Sequence, residues 1–318
     1  MRGEYPAWLE ATLGAVPEAE LRALNAPAPL DLRVNQLATS REQALAGLTA
    51  VGITASPTRF SPLGLRVVGR PSLSHQPIFQ DGWVEVQDEG SQLVALLADA
   101  RPGQAVIDLC AGAGGKTLAL AAAMGNKGRL IACDVSAKRL ERAVKRLRRA
   151  GVHNVERRTL GPDAQAWLKR QAGRFDRVLV DAPCSGTGTW RRNPDMKWRI
   201  GPTDIDELCV IQNEVLDRAA RLVKPGGRLI YATCSLLAAE NEQAIDGFLA
   251  RHGEFQVLPV AGVWASLLAG DCPVDGPYLR LSPARHGTDG FFAAILLRAA
   301  AASVAKEPEA TPPEASAA

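Results

Sequence analysis

The chain lacks the patterns that would make it a metal-dependent or disulfide-built protein. Its six cysteines, Cys110, Cys133, Cys184, Cys209, Cys234 and Cys272, form no CxxC pair, and its four histidines never fall in HExxH spacing. Zinc sites and a disulfide scaffold are thereby disfavoured, and no metal is expected. No opening apolar run with a basic flank resembles a signal peptide, and the longest alanine- and leucine-rich stretches meet charges or glycines too soon to span a bilayer. A cytoplasmic protein without a membrane partner is expected. A dominant charge is missing too. The net charge is only +3, so any nucleic-acid contact must come from local clusters.

What is present is apolar content, 47% over 318 residues, enough for two domains with a large core. Residues 1–75 read as a small α+β unit: "LDLRVN" is a strand, "SREQALAGLTAVG" a helix capped by Ser40 and closed by Gly52, and "LGLRVVG" a second strand. After the linker "RPSLSHQP", "GWVEVQD" alternates like a half-buried strand and "EGSQLVALLADA" like a helix. From Ala105 onward apolar strands alternate with helices: "AVIDLC", "GRLIAC", "NVERRTL", "RVLVD", "RLIYAT" and finally "GFFAAILLR". Strands apolar on both faces and separated by helices predict an α/β, doubly wound, mostly parallel sheet over residues 76–298. Residues 299–318, alanine, proline and acid without periodicity, are expected to be a disordered tail.

The first strand of that sheet ends in "DLCAGAGGKT", whose Gly112, Gly114 and Gly115 permit a sharp turn and close backbone approach to a ligand. Nineteen residues past Gly115 stands Asp134, at a strand end where a carboxylate can accept both hydroxyls of a ribose. A Walker A loop would need glycine at position 110, which is cysteine, and a nicotinamide loop would need GxGxxG. S-adenosylmethionine, with a ribose and an adenine but no phosphates, remains. Asp163 can meet the adenine amino group or cap the helix that begins "AQAW".

Cys184 follows the strand "RVLVD" and Cys234 the strand "RLIYAT". A lone cysteine is ordinarily a small buried hydrophobe, and Cys209 and Cys272 keep that reading. Two thiols at the carboxyl ends of successive parallel strands should instead share a cleft facing the cofactor loop. The chemistry that fits is alkylation of an unreactive pyrimidine carbon. Thiolate addition to carbon 6 of cytosine turns carbon 5 into a nucleophile, and a base must later remove the proton at carbon 5. Asp181 is placed to stabilise charge at the ring's N3, while Lys116 or Lys197 can help acidify the attacking thiol. Arg191, Arg192, Lys197 and Arg199, interleaved with Trp190 and Trp198, suit phosphate contact and base stacking. The basic helix "AKRLERAVKRLRRAG" reads as a solvated face opposite Leu140, Val144 and Leu147.

The blocks "DLCAGAGGKT", "LVDAPCSGTGTWRRNPDMKW", "YATCSLLAAENE" and "GTDGFFAAIL" resemble, in order and spacing, the signatures of the RsmB/NSUN (Sun) family of S-adenosylmethionine-dependent RNA cytosine-5 methyltransferases. "PLDLRVNQL" is similar to that family's N-terminal RNA-binding module. The resemblance implies a Rossmann-like methyltransferase domain behind this module, with Cys234 as nucleophile and Cys184 assisting product release. It also implies that Cys110, Ala111, Gly112, Ala113, Gly114, Gly115 and Lys116, with Asp134, Asp163 and Asp181, line the cofactor site. Arg191, Arg192, Lys197 and Trp198 are expected to contact RNA, with ribosomal RNA as the expected substrate and a monomer as the expected state. The loop departs from the family's more frequent "CAAPGGK", and, with "LRVN" near the start of the sequence, the helical domain of the bacterial ribosomal enzymes is not expected ahead of this module. The alternatives are a transfer RNA or DNA cytosine methyltransferase, or a non-catalytic RNA-binding or assembly factor on the same fold.

Overall fold

The computed structural model describes residues 4–13, 16–162 and 164–300. Its N-terminal unit is a four-stranded antiparallel sheet in the order β2-β3-β1-β4, built from β1 (Leu30–Val34), β2 (Ala55–Pro57), β3 (Gly64–Val67) and β4 (Val84–Val86). The expected cap is formed: Ser40 and Gln43 make a capping box at the helix Arg41–Ala50, satisfying two backbone donors that helix geometry leaves open. Leu32, Val34, Leu48 and Leu65 fill the core under this sheet. The segment "GWVEVQD" pairs with β1, so this unit extends to residue 86, past the boundary expected at residue 75. The pairing decides this, because three residues of strand have no stability away from a partner.

The second sheet has eight strands. Its path is β10-β12-β9-β8-β5-β6-β7, with β11 joined to β12. The central strands β5 (Ala105–Asp108), β6 (Arg129–Asp134), β7 (Val155–Thr159), β8 (Phe175–Asp181) and β9 (Val223–Thr233) are parallel. β10 (Phe255–Val257), β11 (Leu279–Leu281) and β12 (Phe291–Arg298) close the sheet in antiparallel pairs. Helices cover both faces, giving one apolar layer around Val178, Tyr231 and Phe248 and another around Leu93, Leu179 and Trp264. Strand order reverses between β5→β6→β7 and β8→β9, which opens a crevice at the carboxyl ends of β5, β6 and β8.

No helix among the described residues is long and apolar enough to cross a membrane. Most of the expected tail, residues 301–318, lies outside the described residues.

Candidate active site

The cofactor loop is shaped by backbone requirements. After β5 the chain turns through Gly112 at φ 54° and Gly114 at φ 82°, left-handed values that disfavour any side chain, and enters the helix Gly115–Ala123. Gly114 has a second constraint, since a Cβ there would stand 3.0 Å from that of Ala143 on the neighbouring helix Ala137–Arg149. It therefore packs the loop against that helix and does not itself line the cavity. On that helix the buried residues are Leu140, Ala143 and Leu147. Its charged face is only partly solvated, because Arg146 donates to the Ala113 carbonyl at 2.7 Å and Arg149 pairs with Glu85 at 2.6 Å.

Asp134, at the end of β6, accepts from the Gly112 and Ser136 amides, both at 2.8 Å. These bonds fix the carboxylate, Arg139 pairs with its Oδ2 at 3.7 Å, and by count of its roughly four lone-pair sites acceptors remain for ribose hydroxyls. The cavity in front of it has a volume of about 570 Å³. Cys110, Ala111, Gly112, Ala113, Gly115 and Lys116 line it together with Val135, Leu160, Asp181, Cys184 and Cys234. Lys116 is nearly buried and pairs with Asp181 at 2.7 Å. Beneath the loop, Asp108 accepts a 2.7 Å bond from Thr117, and burial pushes its carboxyl from an ordinary 3.8 up to about 7. Asp163 lies outside the described residues.

The two cysteines meet. β8 and β9 are parallel neighbours, and the sulfurs of Cys184 and Cys234 are 3.4 Å apart, within hydrogen-bonding distance. The thiol of Cys184 is raised well above its ordinary range, first by its bond to Cys234 and then by burial. The three turns around them are tied together: the Gly188 amide donates to the Cys234 carbonyl at 2.9 Å, and the Gly188 carbonyl accepts from the Gly290 amide at 2.8 Å. Cys110 lines the same cavity, but burial and nearby carboxylates push its thiol well up, so it is a wall and a poor nucleophile.

The basic loop differs from expectation. Arg191 is buried and pairs with Asp289 at 2.5 Å and Asp88 at 3.4 Å, and Arg192 binds the same two carboxylates. Lys197 is buried as well, donating to Asn25 at 2.8 Å near the faces of Trp190 and Trp198. These three cations are engaged in internal contacts, and of them only Arg192 is exposed. Their acceptors are far away in the chain, so local sequence showed only a run of positive charge. Trp198 remains exposed.

Further residues at the site carry no local sequence signal of their place. Arg218, on the helix Pro202–Leu222, lines the cavity, and Asp108 lies under the glycine loop. Glu240 is fully buried between the two cysteine turns. Locally it is only an acid among small apolar residues in "LLAAENE".

A glycine loop, a ribose-ready carboxylate and a crevice at the strand-order reversal define a Rossmann-like methyltransferase joined to a ferredoxin-like domain. Residues 95–297 match the family model for the 16S rRNA methyltransferase RsmB/F, and residues 5–73 match the RsmF/B-like ferredoxin-like domain. The chain belongs to this RsmB/F family. It is 36% identical over 93% of its length to the probable ribosomal RNA small subunit methyltransferase B of Synechocystis sp., and 38% over 95% to ribosomal RNA small subunit methyltransferase B of Pseudomonas syringae pv. tomato. It spans 67% of the length of each. The crystal structure of PH0851 is similar, with TM-score 0.83 and 34% identity, over 92% of this chain and 66% of that one. The chain is thus an RNA methyltransferase, and S-adenosylmethionine is its cofactor. The residues fit that group, because the fixed Asp134 carboxylate retains free lone pairs and the loop in front of it bears almost no side chains.

Proposed function

We propose that this protein methylates carbon 5 of a cytidine in RNA, with ribosomal RNA as the substrate, through a covalent cysteine adduct. The observation that carries the reading is the pair of thiols 3.4 Å apart lining the cofactor cavity. A non-catalytic RNA-binding factor would have no use for them there.

Asp134 and the backbone of the glycine loop hold the cofactor, and Lys116 orients Asp181. S-adenosylmethionine, when bound, supplies the electrophilic methyl group. The target cytidine must leave its stack to reach the thiols. The Cys234 thiolate adds to carbon 6 of the ring, and Asp181, acting in its acid form, gives its proton to N3, where the displaced electron pair collects. Carbon 5, now an enamine carbon, takes the methyl group. A base then removes the proton from carbon 5, the carbon 5–carbon 6 double bond re-forms, and the Cys234 sulfur leaves with the electron pair of its bond to carbon 6.

Cys184 suits the release step. While Cys234 is free, Cys184 holds its proton, chiefly because of the bond between the two sulfurs. Once the Cys234 sulfur is bonded to carbon, that cause is removed while burial and Glu240 still act, and Cys184, after giving its own proton to solvent, can take the proton from carbon 5 as the thiolate. Trp198 is the residue proposed to stack on a flanking base, a contact of about 1–3 kcal/mol.

Two variants test this. Cys234→Ala should abolish 5-methylcytosine, read by bisulfite sequencing of RNA from complemented cells, while cofactor binding by calorimetry persists. Cys184→Ala should trap a protein–RNA adduct visible on a denaturing gel. Undiminished methylation by Cys234→Ala sinks the reading, and absence of adduct in Cys184→Ala sinks the division of labour.

A further inference from the structure

The two cysteine turns come from segments about fifty residues apart, and something must hold their sulfurs in register. The serines that follow the cysteines, Ser185 and Ser235, are both buried, and their hydroxyls lie 3.2 Å from each other. Both hydroxyls donate to one carboxylate oxygen of Glu240, Oε2. The other oxygen, Oε1, accepts from the Ser185 amide at 2.8 Å and from the side-chain amide of Gln212 at 3.0 Å. Gln212 in turn donates to the carbonyl of Pro183, the residue before Cys184, at 2.9 Å. Glu240 is itself anchored through its backbone, where its carbonyl accepts from the Tyr231 hydroxyl of β9 at 2.7 Å.

We infer that Glu240 is the positioning residue of this active site: a single buried carboxylate that bonds to both cysteine turns and sets the distance and alignment of the Cys184 and Cys234 sulfurs. Neither sulfur touches it through a hydrogen bond, so it acts on the chemistry through the two serines and the Ser185 amide. Three features argue that this is more than core packing. A buried carboxylate costs stability unless well paired, and an apolar residue would fill the volume more cheaply. Its donors are distributed across the two turns, two hydroxyls and one backbone amide, instead of belonging to one element. Its charge also faces the Cys184 thiol and contributes to holding the proton there.

This inference rests on the proposed roles of the two thiols, yet its geometry can be tested without RNA. Hydrogen peroxide joins two adjacent thiols in a disulfide with release of two waters, at a rate that depends on their alignment. In the wild-type protein the Cys184–Cys234 disulfide, identified by mass spectrometry after peptide digestion, should form readily. In Glu240→Ala its formation should slow about 10-fold or more, and kcat for methyl transfer should fall about 100-fold with KM for S-adenosylmethionine unchanged, the cost of a misplacement of roughly 1 Å. Glu240→Gln keeps the Oε1 acceptor and an Nε2 group able to donate to a serine hydroxyl, so it should recover most of both rates. If Glu240→Ala does not fold, Ser185→Ala and Ser235→Ala each remove one hydroxyl arm and should show smaller losses of the same two rates. Wild-type disulfide and methylation rates in the alanine variants would overturn the inference, as would a loss that Glu240→Gln does not relieve and that falls equally on cofactor binding. A wild-type protein that forms the disulfide but no 5-methylcytosine would refute the proposed reaction and leave the positioning role to be judged by the disulfide rates alone.

Discussion

Asp108 shows how one residue links stability to the site. Its carboxyl is raised from 3.8 to about 7 by burial, so between roughly pH 4 and 7 the native protein holds a proton that the unfolded chain has released. The sign follows directly: its contribution is favourable below the unfolded value and is lost as pH rises toward 7. Asp88, raised to about 6 by burial and by Asp289, acts in the same direction over the lower part of that window. Asp108→Asn should therefore flatten the fall in unfolding free energy across roughly pH 4 to 7, leaving nearer pH 5 only the share of the slope that Asp88 supplies, measured by urea titration at each pH. An unchanged profile would mean that Asp108 ionises normally. Residue chemistry was legible where it is local. Asp134, Cys184 and Cys234 stand at strand ends that the sequence pattern marks, whereas nothing local marks Glu240, because a buried acid's surroundings are set by distant donors.

At the level of elements, the signature blocks are mutually dependent. The turn after β8 and the start of β12 touch at Gly188 and Gly290: a Cβ on Gly188 would stand 2.7 Å from the Gly290 Cα. Gly290→Ala should destabilise the protein by about 1–3 kcal/mol and loosen the Cys184 turn, the ordinary cost of forcing atoms into a filled contact. Differential scanning calorimetry with a methylation assay checks both effects, and a variant as stable and active as wild type would refute the close approach. By contrast, Ser40→Ala should cost about 1 kcal/mol of stability through the lost helix cap, with no change in methyl transfer per folded molecule. The cap was visible in sequence because its partners are three residues apart. The Gly188–Gly290 contact was not, because only the pairing of β9 with β12 brings the two glycines together.

Across the whole molecule, Asp88, Asp289, Arg191 and Arg192 join the end of the N-terminal sheet, the loop after Cys184 and the start of β12. Asp88, Asp289 and the Arg191 side chain there are shielded from water while Arg192 is partly exposed, so removing the Arg191 charge strands two buried carboxylates. Arg191→Met should lower stability by about 3–5 kcal/mol in urea unfolding. The salt dependence of RNA binding by the folded variant should be unchanged; a slope reduced by about one would return Arg191 to phosphate contact. Sequence by itself determined the alternation of strands and helices, the glycine turn, the acid at the end of β6 and the presence of two thiols after adjacent strands, since periodicity, backbone sterics and chain order are all written locally. Only the tertiary structure decided that the basic loop is neutralised from within, that β4 belongs to the first sheet, and that one carboxylate spans both cysteine turns. Those outcomes depend on which distant groups meet out of water, where an unpaired charge or hydrogen-bonding group is too costly to leave without a partner.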